Sequence, residues 1–240
     1  MLTTERKDNF QMLHWLDELL IGHNGFIVGG CFKNIFNKEK VKDIDIFFHC
    51  HEDYDEAVQY FDRMTVGFNG DDKLEEEYRF LYSNENVKAY IRLKDNLRVE
   101  LCCKIFGSPA DILNQFDFTI TKFAYYNAYV SKQNSEILLE AELPDPFLEQ
   151  PAQKFTVNKE IELVGLVTYD NKYFEHLHLH RLVVDNKLLY PISTFERVLK
   201  YVKYGYMPCK KTKLKLIQAI RNTNIMDDVA LSKSLYNGMD

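Results

Sequence analysis

The chain has no apolar run long enough to span a bilayer, and its first residues show no basic-then-apolar leader pattern. It also lacks a basic excess. Thirty Lys and Arg face 36 Asp and Glu, for a formal net charge of −6. That excludes a chain-wide electrostatic footprint for nucleic acid, so any such contact must be local. Cysteines number five, an odd count, with Cys102 and Cys103 adjacent and no Cys-x-x-Cys anywhere. This argues against a zinc site or a disulfide framework and sets the expectation of a reduced, cytoplasmic protein. Internal repeats and low-complexity tracts are absent as well. What remains is a 240-residue globular composition, 46% hydrophobic and 28% charged, able to bury a real core.

The pattern along the chain predicts a helix over 5–21 with Thr4 as its cap, ended by Gly22 and Gly25. A short buried strand, FIV, follows; Gly29-Gly30 makes a turn, 31–37 a short helix, and DIDIFFH a second strand. Residues 53–66 read as helix, and YRFLYS, VKAYIRL and LRVELCC as three strands. Ser108 and Pro109 open another short helix, after which FTITKFAYY and SEILLEA read as a strand or mixed pair. The proline-rich LPDPFLEQP is the best internal boundary. Beyond it the spacing predicts helices over 158–169, 172–185, 193–205 and 211–221. The expectation is an α+β fold: a mixed sheet with flanking helices in residues 1–145, then a small α-helical module in 146–240.

One span carries chemistry. In a strand, alternate side chains share a face, so Asp43 and Asp45 project together while Ile44 and Ile46 enter the core. Two adjacent carboxylates repel unless a proton or cation intervenes, and their hard oxygens suit magnesium. Alternating acids and apolar residues also mark any half-exposed strand. The Gly29-Gly30 pair upstream tips the balance, because its backbone can approach a phosphate closely, with Lys33 just beyond it. Glu100 in LRVELCC is the candidate third acid of a two-metal site.

These residues bring a family into view. VGGCFKNIFNKEKVKDIDIFF resembles the head motif of tRNA nucleotidyltransferases and bacterial poly(A) polymerases, within the DNA polymerase β-like nucleotidyltransferase superfamily. The thirteen-residue step from Gly30 to Asp43 is the same. RVELCC is similar to the strand bearing that family's third acid, FDFTITKFAYYN to its sugar-holding motif, and STFERVLKYVKYGY to its neck. The resemblance spans 26–206, most of the chain. It implies transfer of a nucleoside monophosphate from an NTP such as ATP to a hydroxyl, with two Mg2+ ions (or Mn2+) on Asp43, Asp45 and Glu100. It also implies nucleotide contacts by Gly29, Gly30, Lys33, Asp117 and Arg197. The acceptor it implies is an RNA 3′ end, as in tRNA processing. The departures are specific. Lys33-Asn34 replaces the family's Arg-Asp, Gln115 and Phe116 replace two arginines, and Ser193 and Thr194 replace the Glu-Asp pair that reads the base. Ordered addition of C, C and A is therefore not implied. Two alternatives stay open: a nucleotidyltransferase acting on a protein or as a tRNA-modifying toxin, and a non-catalytic nucleotide- or RNA-binding module.

Between Glu196 and Arg221 stand eight Lys or Arg and one acid, with Tyr201, Tyr204 and Tyr206 interleaved. This is either a local RNA patch or the solvated face of an amphipathic helix. HLHLH would put His176 and His180 on one helical face, as metal ligands would stand, but a surface or partly buried cluster is the simpler expectation. Cys102, Cys103 and Trp15 are expected in the core. Oligomeric state is not readable.

Overall fold

In the computed structural model, residues 1–66, 68–69, 72–73, 76–131, 161–184 and 188–223 are described. The strands are β1 (Leu2–Arg6), β2 (Phe26–Val28), β3 (Asp43–Phe47), β4 (Phe68–Asn69), β5 (Asp72–Lys73), β6 (Tyr78–Ser83), β7 (Val87–Arg92), β8 (Leu97–Cys102), β9 (Phe123–Ser131), β10 (Ile161–Asp170), β11 (Arg181–Leu182) and β12 (Met207–Pro208). The helices are α1 (Cys31–Phe36), α2 (His51–Val66), α3 (Pro109–Leu113), α4 (Tyr173–His178), α5 (Pro191–Lys203) and α6 (Lys210–Arg221). Eight strands form one mixed sheet in the order β1-β10-β9-β2-β3-β8-β7-β6. Its pairings are antiparallel except β3 with β8, which run parallel. This is the mixed sheet with flanking helices that the residue pattern predicts. Among the described residues, no helix is long and apolar enough to cross a membrane.

Helices cover both faces of the sheet and fill two apolar layers. One gathers Ile27, Phe32, Ile44, Ile46, Val99 and Leu101 with the aromatic groups of α4 and α5; the other gathers Phe26, Val28, Phe47, Phe116, Ala124 and Leu166. α3 starts where its sequence says it must. The Ser108 Oγ accepts from the Asp111 N–H, and the Asp111 carboxylate accepts from the Ser108 N–H at 3.1 Å. That reciprocal box, with Pro109 at the first helical position, satisfies two donors of the first turn.

Three predicted helices are corrected. The expected helix over 5–21 is β1 followed by 3-10 turns at Lys7–Asn9 and Gln11–Leu20. Leu13, Leu16 and Leu19 are all buried at a spacing of three, which aligns on a helix of about 3.0 residues per turn. The expected helix over 158–169 is β10, which lies between β1 and β9. Val164, Leu166 and Thr168 alternate onto one face and are buried, opposite Ala128, Tyr126 and Ala124 of β9. The expected helix over 172–185 stops at His178, because His180 takes φ 48° and the chain turns into β11, which pairs with β12. SEILLEA and LPDPFLEQP lie outside the described residues.

His23 gives this fold a pH dependence. Its ring packs against Phe48, Tyr60 and Phe61 at 5.7–6.2 Å between centroids. Nδ1 accepts from the Gly25 N–H at 3.0 Å, so Nε2 carries the proton toward the Leu19 carbonyl, also at 3.0 Å. Both nitrogens are thus committed in the neutral form. Burial pushes the pKa down to about 4. The unfolded chain takes up this proton below about pH 6.5 and the folded chain only near 4, so the contribution is complete above pH 6.5 and lost as pH falls toward 4. The expected loss relative to His23→Gln is about 1 kcal/mol per pH unit in that window. Urea unfolding at pH 6.5 and 5.5 checks it, and equal slopes for the two proteins would contradict it.

Candidate active site

The site is built on the one parallel strand pair of the eight-stranded sheet. β3 and β8 align Asp43 with Arg98, Ile44 with Val99, Asp45 with Glu100 and Ile46 with Leu101. Ile44, Ile46, Val99 and Leu101 are fully buried on one face. The period of two therefore sends Asp43, Asp45, Arg98 and Glu100 to the other. All four line a cavity of about 880 Å³. The positive charge that the paired aspartates require stands next to them. Arg98 donates from its terminal nitrogen to Asp43 Oδ2 at 2.7 Å, and its Nε lies 2.8 Å from Glu100 Oε1, an ion-pair approach that is not aimed as a hydrogen bond. Tyr82 donates its hydroxyl to the same Glu100 oxygen at 2.9 Å. Burial works against the Arg98 charge, but Glu100 and Asp43 outweigh it and raise its pKa above the ordinary value.

The glycine turn borders the carboxylates. Gly29 takes φ 108°, open to glycine and strained for other residues, and a Cβ there would stand 3.3 Å from the Phe116 ring and 3.5 Å from Asp45 Oδ2. The backbone thus passes directly against the aspartate. Gly30 lines the cavity. Lys33 also lines it, on α1, almost fully buried, with Nζ hydrogen-bonded to Asn34, 3.4 Å from Glu39 Oε2 and 5.2 Å from the Tyr204 ring. Burial lowers its pKa, against the pull of Glu39.

Asp117 and Arg197 are brought together. Asp117 is 3% exposed; it pairs with the Arg197 guanidinium and accepts from the Thr194 hydroxyl at 2.7 Å. Arg197 lines the cavity and Asp117 is not among its lining residues, so Asp117 holds the arginine from behind. Thr194, at a base-reading position of the resembled neck, is buried in this network, whereas Ser193 lines the cavity. Cys31 and Cys102 line it too, but burial first and Asp45 second push both thiols well above their usual range, so neither is poised as a nucleophile.

Arg98 and Tyr82 were not singled out from the sequence. Arg98 was readable, because it stands two residues before Glu100 on the same strand. Tyr82, two strands away in β6, carried no signal. Of the tyrosines in the basic stretch, Tyr201 and Tyr206 are buried and Tyr204 is 49% exposed. Lys210, Lys211, Lys213 and Arg221 of α6 are exposed. His176 bonds to the Thr119 hydroxyl at 2.7 Å, and His180 stacks on Tyr206 beyond the helix end, so the two histidines do not share a helical face.

Carboxylates are the right donors for magnesium in kind. Among the described residues, however, no three His, Cys, Asp or Glu are gathered as a group that could hold a metal ion in this arrangement. The cation standing between Asp43 and Glu100 is Arg98.

Solved structures that share the fold include two CCA-adding enzyme structures. One is the apo form I of a CCA-adding enzyme, at TM-score 0.50 and 13% identity, covering 96% of this chain and 49% of that one. The other is a CCA-adding enzyme in complex with ATP, at TM-score 0.50 and 15% identity, covering 99% and 51%. The chain spans about half the length of these structures. At such identities the likeness establishes a nucleotidyltransferase-like fold. No curated protein matches the sequence. One family does, over residues 6–179, which carry the whole carboxylate face, the glycine turn and the sheet around them. Over that span the chain belongs to Gad2, the Gabija anti-defense 2 family.

Proposed function

We propose that the chain is a metal-dependent nucleotidyltransferase, moving a nucleoside monophosphate from an NTP to a hydroxyl acceptor and releasing pyrophosphate. The observation that supports this most is the register of Asp45 with Glu100 on adjacent parallel strands, Asp43 on the same face, at the wall of a cavity large enough for a nucleotide. Asp43, Asp45 and Glu100 would hold the divalent ions, magnesium or manganese. Bound there, such ions make the attacking hydroxyl more acidic and neutralise charge on the departing pyrophosphate. Lys33, Lys200 and Arg197 line the same cavity and suit the triphosphate. The acceptor oxygen forms a bond to the α-phosphorus as the bond from that phosphorus to the bridging oxygen breaks. Glu100, 15% exposed against 47% for Asp43, is the better shielded carboxylate to orient the hydroxyl and accept its proton.

An RNA 3′ end is the first acceptor, supported by the exposed lysines of α6 and by Tyr204. The family match favours a second reading of the same chemistry, in which the modified hydroxyl belongs to a protein component of a defence system. Incubation with each α-labelled NTP, magnesium or manganese, and either total RNA or cell protein separates them. Label on RNA is expected for the first and on protein for the second; no label on either would contradict the enzymatic reading.

A further inference from the structure

Three carboxylates on one face of two neighbouring strands are an unstable charge distribution in the absence of a cation. The chain supplies one. Arg98 sits opposite Asp43 in the β3–β8 register and two residues before Glu100, and it spans the two, 2.7 Å from Asp43 Oδ2 and 2.8 Å from Glu100 Oε1. Glu100 is largely screened from water, so its charge needs this partner. A second cation would compete with Arg98 for the same carboxylates. Asp43 Oδ2 already accepts from Arg98, and Glu100 Oε1 is shared between Arg98 and Tyr82. A divalent ion drawing on both carboxylates would face a guanidinium within a few ångströms.

We propose that Arg98 is a resident counter-cation of the carboxylate trio, which a divalent metal ion must displace, so that metal entry and release of the guanidinium are a single event. The inference rests on the metal reading of Asp43, Asp45 and Glu100 given above. The side chain has the freedom to leave: it is 39% exposed and borders the cavity, so it turns away without repacking the core. Once released, it faces the volume where a triphosphate would lie, and a guanidinium pairs well with phosphate oxygens. Metal alone therefore binds weakly, and metal with NTP binds cooperatively, because the nucleotide offers the displaced arginine a new partner.

Mn2+ binding to the full chain, followed by the electron paramagnetic resonance of the free ion without nucleotide, tests this. Arg98→Gln is expected to bind Mn2+ about tenfold or more tightly than the parent, a difference of about 1.4 kcal/mol. Arg98→Lys keeps the charge but cannot bridge both carboxylates in one plane, so it should gain less in the same direction. Adding a non-hydrolysable NTP should tighten Mn2+ binding more in the parent than in Arg98→Gln. Equal or weaker Mn2+ binding by both variants, with the parent binding the ion, overturns the counter-cation role and leaves the metal reading standing. No Mn2+ binding by parent or variants at millimolar concentration overturns both. Melting curves in chelator confirm that each variant is folded.

Discussion

On the proposed function, Asp45→Asn is expected to cut nucleotidyl transfer to about one thousandth of the parent rate or less, while the melting temperature moves by no more than about 3 °C. The rate estimate follows from what the residue is asked to do. Charge stabilisation around a transferring phosphoryl group is worth several kcal/mol, and about 4 kcal/mol is three factors of ten. The stability estimate follows from its place. Asp45 projects from the face opposite the buried Ile44 and Ile46, so the isosteric amide leaves the packing intact. A variant that transfers labelled nucleotide within tenfold of the parent would show that the chemistry lies elsewhere.

Asp117→Ala has the opposite signature, with a large effect on stability. The carboxylate is 3% exposed and faces Arg197, itself 7% exposed, with Thr194 completing the network. Removing the carboxylate takes the paired charge away from a buried guanidinium, a change that costs about 3–5 kcal/mol. At about 2–4 °C per kcal/mol for a chain of this size, the melting temperature should fall by roughly 10 °C. Asp117→Ala combined with Arg197→Met should recover part of that loss, since the two effects are coupled. Thermal unfolding of the two single variants and the double variant measures the coupling. Strict additivity, or an Asp117→Ala shift under 2 °C, contradicts the account of Asp117 as the support of a cavity-lining arginine.

The carboxylate face was legible because the signal is local. Five residues of DIDIF alternate acid and apolar, the β-strand period admits one arrangement, and the glycines upstream mark the turn that lies against it. The same alternation in LRVELC places Arg98 beside Glu100, so the counter-charge was as readable as the acids it neutralises. The N-terminal segment and β10 were not legible as what they are. Leu13, Leu16 and Leu19 satisfy a spacing of three as well as an amphipathic α-helix, and IELVGLV is apolar enough to suit either period. What makes β10 a strand is its place between β1, at the other end of the sheet's sequence, and β9 across the proline-rich stretch. Partners so distant in sequence override local preference. The same distance hid the Asp117–Arg197 pair: the resemblance named both residues for the nucleotide, but 80 positions separate them and only the fold joins them.

The most direct test of the central claim is which phosphate moves. The parent chain is incubated with magnesium and acceptor, once with NTP labelled at the α-phosphate and once with NTP labelled at the γ-phosphate. Nucleotidyl transfer on Asp43, Asp45 and Glu100 predicts α-label bound covalently to the acceptor and γ-label released as pyrophosphate, with both signals lost in Asp45→Asn. Transfer of the γ-label to the acceptor, or an α-signal that persists in Asp45→Asn, would contradict it.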